Sequence, residues 1–107
     1  MANTVKQLNQ SALTATLTTE LYVAPASTST IIKEILLCNT DTSARTVTIT
    51  VGDGTAVKNT ILDALALAAG ETKFITLSTV LNTTETINGG ASAGSVVSCT
   101  ISGVEIA

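Results

Sequence analysis

With 107 residues and a net charge of −3, the chain has room for one domain, and its composition excludes several classes at once. Histidine is absent, charged residues make up 12%, and the five cations are scattered at Lys6, Lys33, Arg45, Lys58 and Lys73, which leaves no basic footprint for nucleic acid. Hydrophobic residues reach 45% while aromatics are only 2%, Tyr22 and Phe74, so the core has to be built from Val, Ile, Leu and Ala.

Residues 1–10 are polar apart from Val5 and Leu8, and they predict an N-terminal arm whose two apolar side chains would touch a partner. The domain proper is expected over 11–107. Residues 11–18 alternate threonine with aliphatics and predict a first strand. Leu21-Tyr22-Val23-Ala24 predicts a second, stopped by Pro25, which removes a ladder donor. Ile31-Ile32-Lys33-Glu34-Ile35-Leu36-Leu37-Cys38 is apolar on both faces, as a central strand is. The turn formers of 39–44 follow, and then Arg45-Thr46-Val47-Thr48-Ile49-Thr50-Val51, where period-two alternation puts Val47, Ile49 and Val51 on one face and threonines on the other. Thr is β-branched and suits a pleated, half-wet surface.

Residues 57–69 fit either a helical stripe or a strand face. The strand is preferred because Ala69-Gly70-Glu71 reads as a tight turn into Thr72-Lys73-Phe74-Ile75-Thr76-Leu77. Ser78 to Asn82 is expected as one helical turn capped by Ser78. A short strand at 84–87 should close at Asn88-Gly89-Gly90, and a long strand from Val96 to Ile106 should carry a bulge at Gly103. Seven to nine short strands at regular spacing predict an all-β, single-domain antiparallel β-sandwich, jelly-roll or immunoglobulin-like, with a short N-terminal arm.

The chemistry of an enzyme is missing. Without histidine the commonest general base and nucleophile–base pairs cannot be assembled. The eight acids are mostly single and near turns, as Asp41, Asp53, Glu71 and Glu85 are, so paired catalytic carboxylates are not expected. Cys38 and Cys99 lack metal-ligand spacing and read as two reduced core thiols, with a strand-to-strand disulfide as the alternative. No cofactor and no metal are expected. Tyr22 and Phe74 are expected in the core, with Tyr22 partly exposed. The loops 39–44, 52–56 and 88–94 could gather at one end of a sandwich. Val5, Leu8, Tyr22, Asp41 and Asp53 are therefore the candidate partner contacts. No apolar run approaches the ~18 residues of a membrane span, and the first residues lack the pattern of a signal peptide.

Several segments also resemble small tailed-bacteriophage virion proteins. Leu21-Tyr22-Val23-Ala24-Pro25 and Thr30-Ile31-Ile32-Lys33-Glu34-Ile35-Leu36-Leu37-Cys38-Asn39-Thr40 look like their first half. Leu67-Ala68-Ala69-Gly70-Glu71-Thr72, Leu77-Ser78-Thr79-Val80-Leu81-Asn82 and Ile101-Ser102-Gly103-Val104-Glu105-Ile106 look like their second. The resemblance runs over most of 20–107. It departs at Thr83-Thr84-Glu85-Thr86-Ile87, where that group often has a Gly-Asp turn. It implies a non-enzymatic structural part of the virion, made in the host cytoplasm: a head decoration or cement protein, or alternatively a tail-fibre or baseplate adhesion module. The implied partners are the major capsid protein or other virion proteins and further copies of the chain, a trimer being favoured, with no nucleic acid and no membrane.

Overall fold

The computed structural model describes residues 3–53 and 56–106. Among these the chain forms eight strands: β1 (Asn3–Ala12), β2 (Glu20–Val23), β3 (Ser29–Asn39), β4 (Arg45–Asp53), β5 (Ala56–Leu67), β6 (Thr72–Leu81), β7 (Thr86–Ala91) and β8 (Val97–Ile106). They make two four-stranded sheets, β1-β8-β3-β6 and β2-β7-β4-β5, with every pairing antiparallel.

The order follows from one long ribbon. β4 pairs with β5, β3 with β6, β2 with β7 and β1 with β8, so the two halves of the chain run back along each other from the paired ends Asp53 and Ala56. Rolling that ribbon brings β8 against β3 and β7 against β4. This is the jelly roll of the two sandwiches anticipated, since the immunoglobulin arrangement divides its strands differently. The roll also sorts the loops. Those at 13–19, 40–44, 68–71 and 92–96 lie at one end, while those at 24–28 and 82–85, with the β4–β5 connection and both termini of the ribbon, lie at the other.

The core is the dry face written by the alternation. Ile32, Ile35 and Leu37 of β3, with Val97, Cys99 and Ile101 of β8, meet Val47, Ile49, Leu67 and Ile87 of the other sheet, all buried. Each such aliphatic contributes about 1.5–3 kcal/mol when fully buried. Residues 57–69 are strand for most of their length, and the tight turn is as read: the Glu71 amide donates to the Ala68 carbonyl at 3.0 Å, and Gly70 takes φ 74°, a type II turn.

Several local expectations give way. Of the alternating segment 11–18 only Ser11 and Ala12 are strand, the end of β1. Residues 13–19 form a loop, because Leu13 turns into the core and Thr14 and Thr19 spend their main-chain carbonyls on β7: the Ala91 and Gly89 amides donate to them at 2.9 Å each. Residues 3–10, expected as an arm, lie in β1, hydrogen-bonded along β8; residues 1–2 fall outside the described chain. Ser78 begins no helical turn, since β6 runs on through Leu81 beside β3. Asn88-Gly89-Gly90 is no turn either. It is the buried middle of β7, where a Cβ on Gly89 would sit 2.6 Å from Ile49 Cδ1 and one on Gly90 2.8 Å from the Thr14 carbonyl. The bulge expected at Gly103 belongs to its neighbours. β8 stays regular while the register shifts past Leu8 in β1 and past Lys33 in β3.

Candidate interaction surface

The outer face of the sheet β1-β8-β3-β6 is where apolar side chains remain uncovered. Since Ile32, Ile35 and Leu37 point inward, alternation sends Ile31, Glu34, Leu36 and Cys38 outward. The register then lines up a row across four strands: Val5 beside Val104, Val104 beside Ile31, Ile31 beside Val80. A second row runs Gln10, Thr100, Leu36, Phe74. Val5 is 86% exposed, Phe74 66% and Val80 53%. A polar band of Gln7, Ser102, Glu34 and Thr76 separates the rows, and the Lys33 ammonium donates to Ser78 Oγ at 3.3 Å beside it. The solvent side of an antiparallel sheet is ordinarily polar, so an aligned apolar row makes this face the candidate interaction surface. Phe74 was expected in the core and Val80 in a helical turn. Both face out because the unbroken alternation of β6 gives its inward positions to Ile75, Leu77 and Leu81.

Tyr22 serves a different purpose. It stands on β2 and reaches across to the other sheet, where its hydroxyl donates to Glu105 Oε2 and lies 2.9 Å from Thr30 Oγ1. Lys6 pairs with the same carboxylate at 3.3 Å. Burial, then the Glu105 carboxylate, push the Tyr22 phenol up to about 12. The hydrogen bond from Tyr22, with help from Lys6, holds Glu105 below the usual carboxylate range. The group latches the two sheets together at the end that carries the termini.

The two candidate acids are far apart. Asp41, at the start of the β3–β4 loop, accepts from Arg45 Nε at 2.7 Å, from Arg45 Nη2 at 2.5 Å and from the Thr42 amide at 2.7 Å; the hydrogen bond from Arg45 is the main cause of its lowered pKa. Asp53 is exposed at the far end of β4, and Gly54, read with it as a turn, falls outside the described residues. The nine-residue strand between them sets Asp53 roughly 25–30 Å from the loop at 40–44, so the two acids lie at opposite ends of the sandwich. Of the five candidate contacts, only Val5 joins the outer apolar face. Leu8, at the register shift, packs against the core.

Asn39 was missed by the sequence reading. It is buried and donates to the carbonyls of Ser43, Leu67 and Ala68 at 3.0–3.2 Å while accepting from the Asp41 amide, which ties two loops of one end together. The threonines of β4 do form the wet side of their strand, but Thr50 is covered, beside the buried pair in which Thr86 Oγ1 donates to Asn88 Oδ1 at 2.6 Å. Asn88 in turn donates to the Thr18 carbonyl, so the loop at 13–19 lies across this part of the face. Cys99 faces the core, where burial pushes its thiol up to about 12, and Cys38 faces outward; both are free. Among the described residues there is no pocket that would enclose a small molecule and no cluster of His, Cys, Asp or Glu that could hold a metal ion.

No family model and no curated protein sequence matches the chain. Solved structures do. A chain of the T13 IBDV viral particle superposes with a TM-score of 0.60 at 17% identity, covering 97% of this chain and 31% of that one. A chain of infectious bursal disease virus, Gx strain, superposes with a TM-score of 0.57 at 19% identity, covering 98% of this chain and 32% of that one. The chain thus spans about a third of the length of those it matches. At these identities the likeness is one of fold: a β-sandwich that also occurs in viral particles.

Proposed function

We propose that this chain is a non-enzymatic structural protein of a virion, a decoration protein that seats on the head of a tailed bacteriophage and stabilises it. The observation that carries this reading is the outward-facing apolar row Val5, Val104, Ile31 and Val80 across one sheet, exposed at its two ends, on a fold shared with chains of a viral particle. The resemblance of residues 20–107 to small phage virion proteins supports the bacteriophage assignment. The role is passive. Apolar area buried against the major capsid protein is worth about 25 cal/mol per Å², and whatever binds the assembled shell but not its separated parts stabilises the shell by mass action. The test is to mix the purified chain with capsids that lack it, sediment them, and image the particles. Stoichiometric density on the head lattice supports the reading; density confined to tails overturns it.

A second reading, an adhesion module of a tail fibre or baseplate, draws on one feature. The loops at 13–19, 40–44 and 92–96, rich in Thr and Ser, share one end of the sandwich. Binding to a glycan array through that end would favour it.

A further inference from the structure

The outer edge of the sheet ends in β6, and this strand differs from the other three edges. β2 is four residues long. β5 is broken by register shifts and by Ala64 at φ 50°. β1 is tied to the other sheet, since its Asn9 Nδ2 donates to the Leu21 carbonyl of β2 at 2.7 Å. β6 runs ten residues, alternates exposed and part-buried side chains as far as Val80 and holds no proline, with one register shift against β3 between Thr76 and Thr79. Its single charge, Lys73, sends its ammonium to the Ala66 carbonyl at 2.9 Å. In an antiparallel pair the N–H and C=O of every second residue point away from the partner, so β3 can satisfy only half of β6. Among the described residues no hydrogen bond reaches the main chain of β6 from the open side. A long, unguarded edge is a template for another strand.

Which strand it takes follows from the side chains. Phe74 and Val80, two of the large apolar side chains left exposed, are both on β6 and both on the outer face. They stand three residues to either side of Leu77. We propose that β6 pairs antiparallel with β6 of a second copy about a two-fold axis at Leu77, joining two sheets into one of eight strands. In that register Phe74 of each copy lies opposite Val80 of the other, and Thr76 opposite Ser78. Lys73 lies opposite Leu81, so the one charge on the strand never meets its own copy. The apolar row of one chain, Val5 to Val80, then runs on into Phe74 and Leu36 of its partner, and the reverse holds across the axis. Directly opposed outward side chains in such a pair are the unit of sheet stabilisation. The symmetry is two-fold and isologous, in place of the trimer favoured from sequence resemblance, and it holds whether or not the chain belongs to a virion.

The test is sedimentation equilibrium of the full chain, with circular dichroism to confirm the fold of each variant. The wild type should sediment at twice the 10.8 kDa chain mass. Phe74→Glu and Val80→Lys each put a charge opposite an apolar side chain and should each weaken the dimer at least about tenfold. An equimolar mixture of the two variants should recover dimer, because only the mixed pair sets the new carboxylate against the new ammonium. As a second route, Thr76→Cys/Ser78→Cys in a Cys38→Ser background should oxidise to a covalent dimer. Opposed Cα atoms about 4.5–5.5 Å apart are within disulfide reach, and two positions on one strand cannot close on each other. Thr76→Cys alone should not cross-link. A wild type that stays monomeric at millimolar concentration, a trimer, a dimer indifferent to both charged variants, or a double-cysteine chain that does not cross-link would each overturn the proposal.

Discussion

The Tyr22 hydroxyl donates to the Glu105 carboxylate across the gap between the two sheets, with Thr30 Oγ1 beside that hydroxyl and the Lys6 ammonium against both carboxylate oxygens. Residues that stand 83 apart in the chain are joined by the roll of the ribbon. Tyr22→Phe keeps the ring and removes the donor, leaving Glu105 short of one partner. The expected loss is about 1–2 kcal/mol in urea unfolding, the range for a hydrogen bond to a charged group with one side still wet. A loss below the error of the measurement would mean that water replaces the hydroxyl.

The same pair sets a pH dependence at both ends of the scale. Glu105 titrates lower in the fold than in the unfolded chain, so its contribution is present above the ordinary carboxylate pKa and is lost as pH falls through the folded value. Tyr22 moves from 10.0 to about 12, so the fold holds this proton more tightly; that stability is complete below 10 and drains away as pH rises toward 12. Thermal unfolding followed against pH should show Tyr22→Phe with a flatter profile than the wild type in the alkaline window, and with a shallower fall in acid.

The cysteines separate by reactivity. Cys99 lies inside, and its thiol is raised from 9.0 to about 12, whereas Cys38 lies on the outer face. The thiolate is the reactive form, so an aromatic disulfide reagent at mildly alkaline pH should modify Cys38 quickly and Cys99 only when the chain unfolds. Two fast thiols in native protein would mean that β8 opens readily next to β3.

The sequence carried the strand content well where one face is dry. Val47, Ile49 and Val51 alternate with threonine because β4 has a sandwich core on one side and water or a covering loop on the other, and the pattern needs only local reading. β1 was hidden because an edge strand packed on one partner can be polar, and Asn3–Ala12 has no dry row of its own to announce it. Asn88-Gly89-Gly90 misled for a tertiary reason. Its local chemistry is that of a turn, but the glycines are there because Ile49 and the loop at 13–19 leave no room for a Cβ. The outer apolar row was legible in part. β6 is apolar at alternate positions on both faces, and alternation cannot say which face looks outward until β3 supplies the register.

That crowding is itself testable. Gly90→Ala places a methyl against the Thr14 and Thr16 carbonyls, main-chain atoms that cannot swing aside, so the loop at 13–19 must lift from β7. Overpacking of this kind costs about 1–3 kcal/mol, and Gly90→Val should lower stability further. Gly94→Ala is the control: its nearest heavy atom is the Ala15 amide nitrogen at 3.7 Å, an ordinary contact. Denaturant midpoints should fall for the first two and stay near wild type for the third.

The outer face offers the sharpest separation of stability from binding. Val5 is 86% exposed and touches the core little, while Val104 stands between it and Ile31 in the same row. Val5→Asp removes no buried contact, and a surface change of this kind alters stability by no more than about 0.5 kcal/mol. If the row is the part that meets the capsid, the same change sets a carboxylate into a desolvated apolar contact with no partner, and burying an unpaired charge is heavily penalised. Capsid sedimentation with Val5→Asp should therefore show a large drop in bound chain at unchanged unfolding midpoint, and Val5→Ile should bind as the wild type does. Equal binding by Val5→Asp would move the contact off this face and onto the loops at the end that carries Asn39.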